Sequence, residues 1–203
     1  MGLLVNCPPA AALSDVTVEE CPFTIGQTQK VIFQRLKNGA NQNKISDPAT
    51  KASWTALLTA TDNTKVVVSP FIQAPNNEPG AARKYGGGNE TLGGVEIIVG
   101  REPTTFEAQI LSTKQSTIKQ LKTYQGENIG VYLVDEFGRI VALKAEAGAS
   151  DYLPIPIRSF FVSDLKLGQL ESPEMNMIEW QFSPNWSDNL EIIVPTDFNG
   201  LDL

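Results

Sequence analysis

Residues 128–145 read NIGVYLVDEFGRIVALKA, and this stretch carries the clearest secondary-structure pattern in the chain. Two runs of apolar residues flank the short loop DEFG, in which Gly138 can adopt a left-handed backbone conformation. The stretch therefore predicts a β-hairpin. Similar apolar runs and alternating patterns predict further strands at residues 30–36, 65–72, 95–100, 104–111, 156–168, 176–186 and 190–198.

Two segments have the pattern of amphipathic helices. In residues 46–63, Trp54, Leu57 and Leu58 fall on one stripe, Ser46 or Asp47 is the expected cap, and Pro48 is the expected first helical position. In residues 112–127, Ile118, Leu121 and Tyr124 share a face, Ser112 is the expected cap and Gly126 the expected end.

The order of these elements indicates the fold class. Strands follow one another without regular helical crossovers, which favours an antiparallel sheet. We therefore expect a mainly β protein, a β-sandwich or partly closed barrel flanked by one or two α-helices. Residues 1–28 are expected to be an irregular segment, and residues 29–203 a single domain with an extended arm at residues 73–94.

Composition excludes several functions. The 203 residues carry a formal charge of −7, which argues against binding of nucleic acid through a basic face. Histidine is absent, so Ser–His and Cys–His catalysis are excluded within the chain. Cys7 and Cys21 are expected to be reduced, structural thiols. No leader or membrane-spanning stretch is recognisable, so the protein is expected to be intracellular when made.

Five glycines between Gly86 and Gly94 raise the possibility of a phosphate-binding loop. Such a loop requires a helix N-terminus after it, whereas a strand is expected after this one, and no Lys-Ser or Lys-Thr pair follows. The segment is therefore interpreted as a flexible arm that becomes ordered on a partner.

Other candidate sites are weaker. Adjacent carboxylates at Asp135–Glu136 and Glu19–Glu20 are interpreted as solvated turn residues, because neighbours on a turn do not usually face each other. Trp54 and Trp180 fall on apolar periods, whereas Trp186 follows a turn and could expose a sugar-binding ring. No catalytic residue, metal ligand or cofactor is predicted, and an enzyme is the least favoured class.

Three segments resemble virion structural proteins of tailed bacteriophages and prophages of Bacteroidetes-type hosts. They are CPFTIGQTQKVIFQRL (21–36), GGGNETLGGVEIIVG (86–100) and FSPNWSDNLEIIVPTDFN (182–199). Within that group the order of elements is most similar to tail tube proteins. The resemblance implies a β-sandwich with a flanking helix and a long arm that reaches a neighbouring subunit.

The resemblance also implies partners and sites. Subunits would form rings, six to a ring, that stack into a tube through which DNA passes without specific binding. Other virion proteins would cap the tube, and no membrane would be involved. The expected arm residues are Arg83, Lys84, Tyr85, Gly86, Gly87, Gly88 and Asn89. The hairpin expected to pair edge-on between subunits includes Val131, Leu133, Asp135, Gly138 and Ile140.

Two alternatives remain open at this point. The proline-rich N-terminus would also suit a head–tail connector, ring or tail terminator protein, and a head decoration protein of the same virion is a further virion alternative. A carbohydrate-binding β-sandwich module is the alternative from another class. The virion readings place the mature protein in the phage particle, after synthesis in the host bacterial cytoplasm.

Overall fold

The computed structural model describes residues 16, 24–146 and 150–203, so Cys7, Cys21, Glu19 and Glu20 lie outside the described part. Residues 25–80 and 103–203 group into one unit, termed the body, and residues 81–102 group apart from it. The body contains ten strands of one large antiparallel sheet. Two further pairs, β2–β3 and β6–β7, form separate two-stranded sheets. The fourteen strands of the described residues are β1 (Thr28–Arg35), β2 (Lys37–Asn38), β3 (Asn41–Gln42), β4 (Val66–Val68), β5 (Gln73–Glu78), β6 (Ala82–Tyr85), β7 (Ile97–Arg101), β8 (Thr104–Leu111), β9 (Ile129–Asp135), β10 (Ile140–Lys144), β11 (Tyr152–Leu153), β12 (Ile155–Val162), β13 (Met175–Phe182) and β14 (Leu190–Ile193).

The sheet is sandwich-like and is not closed into a barrel, which confirms the predicted mainly β class and settles its architecture. The strand order is β11-β10-β9-β12-β13-β8-β5, while β1 pairs with β4 and β9, and β14 pairs with β10. All these pairings are antiparallel, as the absence of helical crossovers predicted.

Strand β9 explains why residues 128–145 decide the fold. Val131 and Leu133 point into one core cluster, whereas Tyr132 and Val134 point into a second cluster on the opposite face. The strand is therefore buried on both faces, which is why its sequence is apolar from Ile129 to Val134 instead of alternating. Both halves of the core are built against it.

Each core cluster is organised around a tryptophan. Trp180 stacks on Phe106 with ring centroids 4.2 Å apart, as the alternation in β13 predicted for a core residue. Trp54 packs edge-on against Tyr132, and its indole N–H donates to the Pro48 carbonyl oxygen at 2.8 Å. These buried aromatic contacts hold the sheet and the first helix together.

Helix α1 (Lys51–Leu58) is confirmed, but its predicted start is wrong. Neither Ser46 nor Asp47 caps it, and Pro48 precedes it. The backbone N–H of Lys51 instead donates to the carboxylate of Asp197 at 2.8 Å. A residue almost 150 positions away thus satisfies one of the free amides of the first turn.

Helix α2 (Gln115–Lys122) is also confirmed, both in its position in the sequence and in the face that it buries. Ile118 and Leu121 are buried and Tyr124 packs against the same core cluster, as the stripe predicted. Ser112 is not the cap, because it precedes the helix by three residues and has φ +46°. Gly126, with φ +82°, follows the end of the helix.

The segment at residues 73–94 differs most from the prediction. Residues 73–78, which were expected to be part of the arm, form β5 at the edge of the body sheet, paired with β8. The unit that groups apart is residues 81–102 instead. Pro75 is tolerated in β5 because an edge strand needs ladder hydrogen bonds on one side only.

Candidate assembly site

Residues 81–102 form a two-stranded hairpin, termed the arm hairpin. Strands β6 and β7 pair antiparallel, with Tyr85 opposite Ile97 and Lys84 opposite Ile98. Of the residues predicted to form the arm, Arg83, Lys84 and Tyr85 lie in β6, and those from Gly86 to Asn89 begin the connection to β7. A lone two-stranded hairpin is marginally stable in water.

The glycines of the arm hairpin serve a turn. Gly86 has φ +85°, and a Cβ at this position would clash with the side chain of Thr91. The Thr91 hydroxyl accepts from the Gly87 backbone N–H at 3.1 Å and donates to the Val95 carbonyl oxygen at 2.6 Å. The loop is thus folded on Thr91, and it leads into a strand, not into a helix that could hold a phosphate.

One face of the arm hairpin is apolar. Tyr85 and Ile97 lie directly opposite each other. Val95 precedes β7 in extended backbone, and we expect it on the same face because side chains two residues apart in an extended chain point the same way. Tyr85 is 60% exposed and Val95 is 56% exposed. This apolar face consists of side chains that usually require cover by another surface.

The opposite face of the arm hairpin carries an ion pair. The Lys84 ammonium lies 2.8 Å from the Glu96 carboxylate, and this hydrogen bond raises the pKa of Lys84 above its usual value. Ile98, 66% exposed, lies on this face. It provides an apolar residue of similar exposure to Val95 on the other side of the same hairpin.

The arm hairpin is electrically neutral although the chain is acidic. It contains three basic residues and three acidic residues, whereas the whole chain has a formal charge of −7. The basic residues are Arg83, Lys84 and Arg101, and the acidic residues are Glu90, Glu96 and Glu102. The excess negative charge therefore belongs entirely to the rest of the chain.

The second predicted assembly element, the β9–β10 hairpin, has no free edge. One edge of β9 pairs with β1 and the other with β10 and β12. One edge of β10 pairs with β9 and β11, and its outer edge pairs with β14. Val131, Leu133, Asp135 and Ile140 are at most 5% exposed. Pairing of this hairpin between subunits would require these internal ladders to open, so the expectation is not carried further.

Asp135 organises the turn of that hairpin and is not the solvated residue that the sequence suggested. It is 1% exposed, and its carboxylate accepts from the backbone N–H groups of Phe137 and Arg139 at 3.0 and 2.9 Å. The Arg139 guanidinium binds the other carboxylate oxygen at 2.6–2.7 Å. Gly138, with φ +76°, supplies the left-handed position that this turn requires.

Residue types required for other functions do not converge in the described part of the chain. No group of three or more acidic or cysteine side chains that could hold a metal ion occurs in residues 24–146 and 150–203. Trp186 stacks on Phe182 with ring centroids 4.2 Å apart and packs, partly buried, against the core, so one face of its ring is covered. No helix in the described ranges is long and apolar enough to cross a membrane.

Sequence patterns did not reveal two further surface features. The connection between β12 and β13 exposes Leu167 and Leu170, and a cleft of about 290 Å³ lies beside Phe33 and Tyr124. The leucines within the loop SDLKLGQLESPE (163–174) could have indicated the first feature, because leucine is not a residue that tight turns favour.

Comparisons with protein-family models, curated proteins and solved structures found no match to this chain. The functional argument therefore depends on the geometry of the chain itself and on the segment resemblance described above.

Proposed function

We propose that this chain is a structural protein of a tailed-phage virion, which assembles with copies of itself into rings that stack as a tail tube. The single observation that carries the proposal is the arm hairpin, a neutral ribbon with an apolar face directed to solvent. The antiparallel sandwich with its flanking helices also agrees with what the resemblance implies.

A second copy of the chain is the partner that the charges favour. Two bodies that carry most of the −7 charge repel each other, whereas the neutral arm hairpin can approach another acidic subunit without net repulsion. Covering Tyr85, Val95 and Ile97 would also stabilise a ribbon that is marginal alone. Arm exchange thus explains both the charge and the exposed side chains.

Arm exchange generates rings by simple geometry. The arm of one subunit and its receiving surface on the next are different, so the contact is head-to-tail and closes into a ring when the rotation permits. A stable contact of this kind buries more than about 1,000 Å² in total. DNA would pass through the ring without specific binding, because a chain with a formal charge of −7 does not attract its phosphates.

A matched pair of substitutions tests the apolar face. Val95→Asp places a charge on that face, and Ile98→Asp places the same charge on the opposite face of the same hairpin. We expect the wild-type protein and Ile98→Asp to form rings or tubes in negative-stain images, and Val95→Asp to remain monomeric by light scattering. A wild-type protein that stays monomeric at high concentration would contradict the proposal.

Symmetry separates the tail tube from the other virion roles. Stacked rings of six subunits are expected for a tube, whereas a connector would give single rings of higher order and a decoration protein would occupy icosahedral positions on a head. Replacing residues 82–101 by a short Gly-Ser linker should leave the body folded, by circular dichroism, and abolish assembly. Long tubes formed by this variant would show that the arm hairpin is not the assembling element.

A further inference from the structure

We propose a second contact between copies, in which the tongue of one subunit, residues 163–174, inserts Leu170 into the cleft of the next subunit. The cleft is the one beside Phe33 and Tyr124. The inference rests on the proposed self-assembly and identifies a contact that is separate from the arm hairpin.

The tongue is an ordered hairpin extension of β12 and β13. Lys166 and Met175 exchange two backbone hydrogen bonds, at 2.8 and 3.1 Å, and nearer the tip Gln169 and Ser172 exchange two more, at 2.8 and 3.2 Å. These bonds fix the backbone on both sides of the turn. The tongue therefore presents its tip in a defined position.

The tip of the tongue is apolar although it lies in solvent. Leu170 is fully exposed and Leu167 is 74% exposed. Tight turns favour Gly, Asn, Asp, Ser and Pro for backbone reasons that do not apply to leucine. Leu170 thus contributes nothing to the turn, and its side chain is available to fill an apolar hollow elsewhere.

The cleft has the size and lining of a receptor for a side chain. Its volume of about 290 Å³ is at the lower limit of small-molecule sites, which span roughly 300–1,000 Å³. Ten residues line it, of which Phe33, Val67, Tyr124 and Ile129 are apolar or aromatic and the other six are polar or charged. A leucine from another copy would bury its methyl groups against the first four.

The cleft carries charges of both signs, and one of them can pair with the tongue. The Arg35 guanidinium pairs with Glu127 at 3.0 Å, and the Asp62 carboxylate accepts hydrogen bonds from Thr64 and Asn38. The Lys65 ammonium, in contrast, has no acidic partner among the described residues. Next to the tip, the Glu171 carboxylate likewise has no basic partner in the described part of the chain. With Leu170 in the cleft, Glu171 would come close to Lys65.

A pair of variants within one turn tests the insertion in the full-length protein. Leu170→Asp should raise the concentration required for half-maximal assembly about tenfold or more, because it removes the burial of a leucine. Gln169→Asp adds the same charge at the adjacent exposed position and should change that concentration by less than about twofold. Equal behaviour of the two variants would overturn the inference.

Charge reversal tests the orientation of the contact. Glu171→Lys and Lys65→Glu should each weaken assembly, and the double variant should restore it towards the wild-type level. Failure of the double variant to recover, while Val95→Asp still prevents assembly, would overturn the tongue contact and leave the proposed function intact. A wild-type chain that never assembles would overturn both.

Cross-linking supplies a direct readout. In a background with Cys7→Ser and Cys21→Ser, copies with Leu170→Cys are mixed with copies that carry Asn63→Cys, a residue that lines the cleft. Oxidation should then give a covalent dimer on a non-reducing gel, absent when Gln29→Cys replaces Asn63→Cys. Absence of the dimer from assembled protein would overturn the inference.

Discussion

Two hairpins of this chain have opposite environments. The β9–β10 hairpin is buried on both faces and paired along both edges, whereas the arm hairpin, β6–β7, exposes apolar side chains on both of its faces. Both contain a run with valine and isoleucine next to a glycine-containing connection. The difference shows that such a run indicates an apolar surface that must be buried. It does not indicate whether the same chain or another molecule buries it.

Matched isoleucines provide the largest expected contrast between the two hairpins. Ile140 in β10 is 0% exposed, whereas Ile98 in β7 lies largely in solvent. Ile140→Ala should lower the free energy of unfolding by about 2–5 kcal/mol, since it leaves a cavity in the core. Ile98→Ala should change it by less than about 0.5 kcal/mol.

Urea denaturation of the two alanine variants measures this contrast. Both proteins should be studied as monomers, in the Val95→Asp background, so that assembly does not add to the apparent stability. Similar losses of stability for Ile140→Ala and Ile98→Ala would mean that the arm hairpin is as well packed as the core, which would remove the reason to seek a partner for it.

Substitution at the two turns should give a smaller contrast. Asp135→Asn removes the charge that the Arg139 guanidinium and two backbone N–H groups share, and should cost about 1–3 kcal/mol of unfolding free energy. Asn89→Ala, in the connection of the arm hairpin, should cost less than about 0.5 kcal/mol. Thermal unfolding of the two variants checks this, and an unchanged midpoint for Asp135→Asn would contradict the role given to this carboxylate.

The sequence predicted those strands and helices in which apolar residues recur with the spacing of a strand or a helix. The apolar run in β9 and the apolar stripe around Trp54 in α1 each predicted its element correctly. The same run could not reveal that β1 and β12, distant in sequence, would cover both edges of β9. For that reason the sequence suggested a free edge at the hairpin where the structure has none.

Features made by long-range contacts were not predictable. Strand β5, QAPNNE, has no apolar period, and backbone pairing with β8 makes it a strand. Asp197 caps α1 from the other end of the chain, and the Asp135 carboxylate accepts from the backbone N–H of Gly26, 109 positions away, at 3.3 Å. In the candidate site, the composition of residues 86–94 indicated an arm, but pairing of β6 with β7 decides which side chains share its apolar face.

The smallest expected contrast is in alkaline solution, where the Lys84–Glu96 ion pair of the arm hairpin titrates. The hydrogen bond to Glu96 raises the pKa of Lys84 above 10.5 in the folded hairpin. A raised pKa stabilises the folded form below the unfolded value, and this contribution is lost as the pH rises through the folded value. The arm hairpin should therefore loosen above about pH 10.5, whereas the turn of the β9–β10 hairpin at residues 135–139 contains no lysine.

Methyl NMR signals of Ile97 and Ile140 report on the two hairpins separately in the monomeric Val95→Asp background. We expect the Ile97 signal to shift on alkaline titration and the Ile140 signal to remain in place until the body unfolds. Lys84→Gln removes the titrating ammonium and should abolish that part of the Ile97 shift. An Ile97 shift of equal size in Lys84→Gln would assign the change to another group and show that the ion pair does not hold the arm hairpin together.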